Sequence, residues 1–306
     1  MFALALGSAG CTPDTPDTPE SPLTPTPSVT SPTASPTTFV PYGLLLPGAA
    51  REALAVLQAQ AGNAPILQVT VRAEQASLTY LNTKTEEATT LVWEDGKWWE
   101  KDSGVLYVEQ ATFHLSDFNL EDVGAMFAAA ATISGSSADQ QLQINEYNEG
   151  RVLMTVTTSP ESVTVFFRPD ATLIRGLDFI VKADVAEALR DTCNDVAVIA
   201  VGLGQQGFWA DVRRDTDTIE RFIRPAGLPT YSSLRNQSSN LTAFDPAVID
   251  PAVVASLLNR LPALVADNPQ ATIEFTADTR DGVPVPKLYF TLGFTTLVYD
   301  LAGNPV

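Results

Sequence analysis

Three glycines, Gly202, Gly204 and Gly207, stand in the run GLGQQG directly after the apolar stretch 196–201 (VAVIAV). Glycines at this spacing can turn a chain from a strand onto a helix whose N-terminal N–H groups meet a pyrophosphate. That chemistry needs strands and helices in alternation, yet residues 208–212 and 219–223 have the short apolar pattern of further strands. A glycine-rich β-turn is therefore expected, with no dinucleotide and no other cofactor. His114, Ser116 and Asp117 (HLSD) supply the residue types of a base, a nucleophile and an orienting acid. Close neighbours in sequence cannot aim at one another, and His114 is the only histidine, so the group is expected to be surface polarity before a helix cap. Acidic runs such as 211–217 (DVRRDTD) lack the alternating oxygen ligands, central Gly and terminal Glu of a calcium loop. No metal site and no catalytic residue is assigned.

Trp93, Trp98 and Trp99 could offer flat faces to a ligand such as a sugar ring. Asp95-Gly96 between them is a two-residue hairpin signal, which sets Trp93 opposite Trp98 and Glu94 opposite Lys97. Trp99 then points through the other face with Val92. Cross-strand packing in a core is the simpler reading of these aromatics, and ligand stacking is the functional one. Cys193 falls on the apolar stripe of a helix, where a free thiol behaves as a small buried hydrophobe. The sequons at Asn236 and Asn240 mark a polar loop.

The elements that must position these residues occur twice, at an offset of about 130 residues. Residues 113–127 (FHLSDFNLEDVGAMF) lie over 244–258 (FDPAVIDPAVVASLL), with Asn119 over Asp250 as helix caps. Val123, Met126 and Phe127 then lie over Val254, Leu257 and Leu258 as matching apolar stripes. Glu149-Gly150 falls over Asp281-Gly282, Phe166-Phe167 over Val298-Tyr299, and Arg51-Glu52-Ala53-Leu54 over Ala186-Glu187-Ala188-Leu189. Each copy opens with a helix, 49–61 or about 184–193, and continues in strand-like alternation. A second helix, about 119–133 in the first copy, leads to another meander at 142–147, 152–157 and 163–168. The expected class is α+β, with two tandem, similarly folded units, each with two helices packed on an antiparallel sheet. Such units resemble in shape the PepSY-like and lactamase-inhibitor-like repeats of secreted bacterial proteins, and the helix-on-sheet lipid carriers of mycobacterial envelopes.

The chain has 306 residues, and its 18 Lys and Arg stand against 36 Asp and Glu. So acidic a body repels phosphate backbones, which excludes nucleic acid as an expected partner. At the N-terminus the apolar residues 2–6 (FALAL) run into Gly7, Ser8, Ala9, Gly10 and Cys11. This resembles the lipobox of bacterial envelope lipoproteins, in which cleavage leaves the cysteine as an acylated N-terminus. The resemblance implies lipidation of Cys11 and a place on the outer face of the cell membrane. The apolar run is short and no basic residue precedes it, so a start upstream of Met1 is expected. Residues 12–38 are almost wholly Thr, Pro, Ser and Asp, a composition that stays extended and buries no core.

The expected organisation is a signal and lipobox over 1–11, a disordered linker over 12–41, and α+β units over 42–182 and 183–306. The expected function is a non-enzymatic module, tethered to the membrane through its lipid, that binds an unknown protein or glycan partner. Two alternatives are a carrier with an apolar cavity lined by Leu, Val and Phe, and an envelope enzyme whose carboxylates meet only in three dimensions.

Overall fold

The computed structural model describes residues 39–62, 64–85, 87–103, 110–158, 163–261 and 273–306. Cys11, the lipobox and residues 12–38 of the linker lie outside the described residues.

The first half begins with α1 (Ala49–Ala61), closed by Gly62. Four strands follow: β1 (Ile66–Val71), β2 (Gln75–Asn82), β3 (Glu87–Glu94) and β4 (Lys97–Asp102). After α2 (Val123–Ser134) come β5 (Gln141–Asn148), β6 (Arg151–Thr157) and β7 (Thr164–Phe167). The strands form one antiparallel sheet in the order β4-β3-β2-β1-β5-β6-β7. The second half repeats the plan with α3 (Lys182–Cys193), β8 (Ala200–Gly204), β9 (Gly207–Arg213), β10 (Thr218–Arg224) and β11 (Tyr231–Asn236). It closes with α4 (Pro251–Arg260), β12 (Ile273–Asp278), β13 (Lys287–Leu292) and β14 (Thr295–Tyr299). Its sheet runs β11-β10-β9-β8-β12-β13-β14, the same order in the same connectivity. The fold is α+β, in two similar halves.

Isolated backbone bridges recur at matching places, Ile66–Phe113 against Val198–Phe244 and Phe167–Leu173 against Tyr299–Pro305. Alternation along the strands sends one face of each sheet inward. In the first half Val69, Val71, Leu78, Leu91, Leu142, Ile144, Met154 and Phe167 share one buried cluster with Leu54 and Leu57 of α1 and Met126 and Phe127 of α2. In the second, Val201, Phe208, Phe275, Leu288 and Phe290 share theirs with Val185 and Ala188 of α3 and Val254, Leu257 and Leu258 of α4.

One helix start differs from expectation. Asn119 is not the cap of α2; Asp122 is, its side chain accepting from the Ala125 N–H at 2.8 Å. The four residues before Val123 have their backbone engaged elsewhere. The Glu121 carbonyl accepts from Gly48 at 2.7 Å, and the Asn119 N–H donates to Pro169 at 2.7 Å. Those bonds replace the first helical turn. In the second half Asp250 does cap α4, aided by Pro251 in the first turn, where a missing N–H costs nothing.

Candidate functional site

The outward face of α1 is carried by Ala49, Glu52 and Val56, at the helical spacing that puts them in one row. Across from it stands Trp93 of β3, on the core-facing side of the sheet and packed against the buried cluster. Residues 42–44 and the β1–β2 connection at Ala73 and Glu74 close the ends, and Asp95 adds the rim. The result is an open groove of about 680 Å³. Its floor depends on Gly43, whose φ is +57° and whose place a Cβ could not take, since it would come within 2.2 Å of the Ala73 carbonyl oxygen. That close approach lets the Leu44 N–H donate to the same oxygen at 2.7 Å.

The Asp95-Gly96 turn has φ of 50° and 73°, the left-handed pair of a two-residue hairpin. It pairs Glu94 with Lys97, Trp93 with Trp98 and Val92 with Trp99, as the sequence leads one to expect. The three tryptophans therefore divide. Trp93 is half-buried at the groove wall, Trp98 lies opposite it and 45% exposed on the edge strand, and Trp99 is 40% exposed on the other face. With Tyr42 and Val56, both exposed, Trp98 adds to an apolar surface around the groove. Among the described residues no ion pair or side-chain hydrogen bond engages Glu52, Glu74 or Asp95, and no basic residue lines the groove.

The same place in the second half is filled. The strand ladders give the equivalence: Val71 pairs with Ala76 and Ala76 with Trp93, just as Leu203 pairs with Phe208 and Phe208 with Arg224. Arg224 thus stands where the first half has Trp93. Likewise α3 presents Asp184, Glu187 and Asp191 where α1 presents Ala49, Glu52 and Val56, the buried residues of the two helices being in the same register. Arg224 is 0% exposed. Its Nε donates to Asp191 at 3.2 Å, its Nη1 to the carbonyls of Pro225 (2.6 Å) and Leu228, and its Nη2 to the Arg175 carbonyl at 2.8 Å.

The lid over this second groove is the connecting segment from the first half. Arg168 donates to Glu187 at 2.9 Å and Asp191 at 2.8 Å, and Arg175 to Asp184 at 2.6 Å, with Glu187 at 3.0 Å. The Leu177 N–H donates to Ala226 at 2.7 Å, and the Leu177 side chain joins the second core. The Arg175 guanidinium and then the Asp178 N–H hold the Asp184 carboxyl below its usual value. Sequence inspection missed this network. Its one visible signal was the row of carboxylates at i, i+3 and i+7 on α3.

GLGQQG is the β8–β9 hairpin, with Gly204 paired to Gly207. Its glycines serve packing: a Cβ on Gly202 would lie 2.4 Å from both the Phe275 carbonyl oxygen and the Trp209 ring. Arg221 lies over that indole, 3.7 Å from the ring centroid, held by Asp211 at 2.6 Å. Gly202→Ala should cost about 1–3 kcal/mol as an overpacked contact. Gly204→Ala, which meets nothing closer than 3.9 Å, should be near neutral in the same urea titration. The His114 N–H donates to the Asp117 carboxylate at 3.2 Å across a short 3-10 turn, Leu115–Asp117, so HLSD is held as a local loop. Cys193 is buried, and burial pushes its thiol up to about 11, which keeps it protonated and inert at neutral pH. Among the described residues no cluster of His, Cys, Asp and Glu could hold a metal ion, and no helix is long and apolar enough to cross a membrane.

No protein-family model matches the chain, and no curated protein does. Among solved structures the H. pylori beta clamp in complex with 5-chloroisatin is similar at 11% identity, over 81% of this chain and 59% of that chain, with a TM-score of 0.14. No inference is built on so shallow a likeness.

Proposed function

We propose that this protein is an envelope lipoprotein, held to the outer face of the cell membrane by acyl chains on Cys11, whose body is a non-enzymatic module that docks a partner protein. In each half two helices are laid on one face of the sheet, and the first half offers the groove between α1 and the β3–β4 hairpin. The observation that carries this reading is the groove itself. It gathers Trp93, Val56 and Tyr42 with three carboxylates that have no partner among the described residues, on a surface those residues leave uncovered. Aromatic anchors ringed by polar groups are the usual make-up of a protein contact. The linker supports display at a distance. At about 3.1 Å per residue an extended stretch of roughly thirty residues reaches about 90 Å. The carrier alternative asks for an enclosed apolar cavity, whereas this groove opens to solvent and the inward-facing Leu, Val and Phe side chains pack on one another.

A photo-crosslinking residue at position 98, in the lipoprotein expressed in intact cells, tests the docking. The expected result is a discrete protein adduct that does not form from position 234, a more exposed site on β11. Adducts to lipid or glycan alone, or the same adducts from both positions, would remove the reading. Tethering is checked separately: Cys11→Ser should move the protein from the membrane fraction to the medium, and unchanged membrane association would exclude the lipid anchor.

A further inference from the structure

We propose that the groove of the first half binds an extended, arginine-bearing segment of its partner, laid across α1 and β3 as residues 168–177 lie across α3 and β10. This rests on the protein-docking reading and specifies what docks. The second half provides the worked case. There the incoming stretch RPDATLIRGL contributes Arg168 and Arg175 to the helix carboxylates, and its Leu177 side chain and N–H to the core and to Ala226.

The first groove keeps one of the three helix carboxylates of that arrangement and lacks its basic side. Glu52 occupies the place of Glu187, and Glu74 and Asp95 add charge, yet no cation lines the walls. The residue that replaces Arg224 is Trp93, so a guanidinium built into the chain has given way to an aromatic face. Such a face is a good platform for an incoming arginine. The protein uses that pairing elsewhere, with Arg221 3.7 Å from the centroid of Trp209 and Arg280 4.0 Å from that of Tyr289. Val56 and Ala49, in place of Asp191 and Asp184, make the groove more apolar, which suits a segment carrying aliphatic residues between its arginines. A net charge of −18 adds long-range attraction for a basic partner.

A second copy of the chain is a poor occupant. The stretch of the second half that corresponds to 168–174 is 300–306 (DLAGNPV), and the matching turns set Asp300 where the first half has Arg168. It brings no cation and meets like charge.

The test uses the full chain and fluorescently labelled ten-residue peptides read by anisotropy. One peptide is RPDATLIRGL, one has both arginines replaced by glutamate, and one by glutamine. The arginine peptide should bind, and raising salt from about 50 to about 500 mM should weaken it, since screening acts on exposed charge. Trp93→Ala, and separately the exposed pair Glu52→Gln with Glu74→Gln, should each cost about tenfold in affinity, with the melting temperature of the double variant unchanged. Trp93-dependent binding of the glutamate peptide, or equal binding of all three, would overturn the arginine specificity while leaving a protein-docking groove intact. Binding of none of them would overturn both. Concentration-dependent dimers of the free chain, dispersed by Glu52→Gln with Glu74→Gln, would make a second copy the occupant and overturn the proposal.

Discussion

Arg224→Met should destabilise the protein by about 3–5 kcal/mol, the range for breaking a buried ion pair by removing one partner. The loss is large because one guanidinium serves many acceptors. The unexposed guanidinium donates to Asp191 and to three backbone carbonyls; methionine takes the donor from the carbonyls and leaves Asp191 with Arg168 as its hydrogen-bond donor among the described residues. The network also joins the halves, since Arg168 and Arg175 precede the second half and the carboxylates belong to α3. Urea unfolding of the variant should therefore lose cooperativity as well as midpoint. Asp191→Leu should cost less in the Arg224→Met background than alone, because the two residues share one bond that the first change has already removed. A cost below about 1 kcal/mol would mean that the network contributes no more than a surface pair. The same site sets a pH response. Asp184 has a folded value below its unfolded 3.8, so its contribution is fully present above that value and is lost as pH falls through the folded one. Acid titration followed by circular dichroism should show Asp184→Asn flattening the response below about pH 4.

Phe127→Ala should cost about 3–5 kcal/mol and Leu258→Ala about 2–5 kcal/mol, as expected for emptying packed sites. Both side chains are buried, Phe127 in the first core and Leu258 in the second, at the same step of the helix that precedes the closing meander. Equivalent places should respond alike, and chemical denaturation measures both. A near-neutral Leu258→Ala would show that the second core relaxes around α4 in a way the first does not.

Much of the architecture could be read before any coordinates. Asp95-Gly96 announces its hairpin because both positions need a positive φ. The stripe Val123, Met126, Phe127 finds its match in Val254, Leu257, Leu258, because burial against a sheet imposes one spacing on both helices. What escaped inspection depends on distant chain segments. Asn119 is as good a cap by type as Asp122, and only the bonds from Gly48 and to Pro169 decide between them. Arg168, Arg175 and Arg224 lie in separate stretches, and nothing in a linear pattern says that they converge on one helix face. The groove is harder still, since it is the gap left when α1 settles on β3, and a gap has no residues of its own. Trp93 and Trp98 were singled out by type, but their different exposures follow from the edge position of β4.

The chain segment that leaves the first half is also the lid of the second groove, and under the proposed docking this limits how many partners one molecule can hold. In a tandem array built this way, every internal junction closes the groove of the unit that follows it. Among the described residues of this chain, the groove of the first half is the one left open. Under the proposed docking, the second half adds mass and a fixed platform without a second open groove, and the valence is one. Under the proposed tethering and docking, a membrane carrying many such molecules would gather partners one by one rather than crosslink them into clusters.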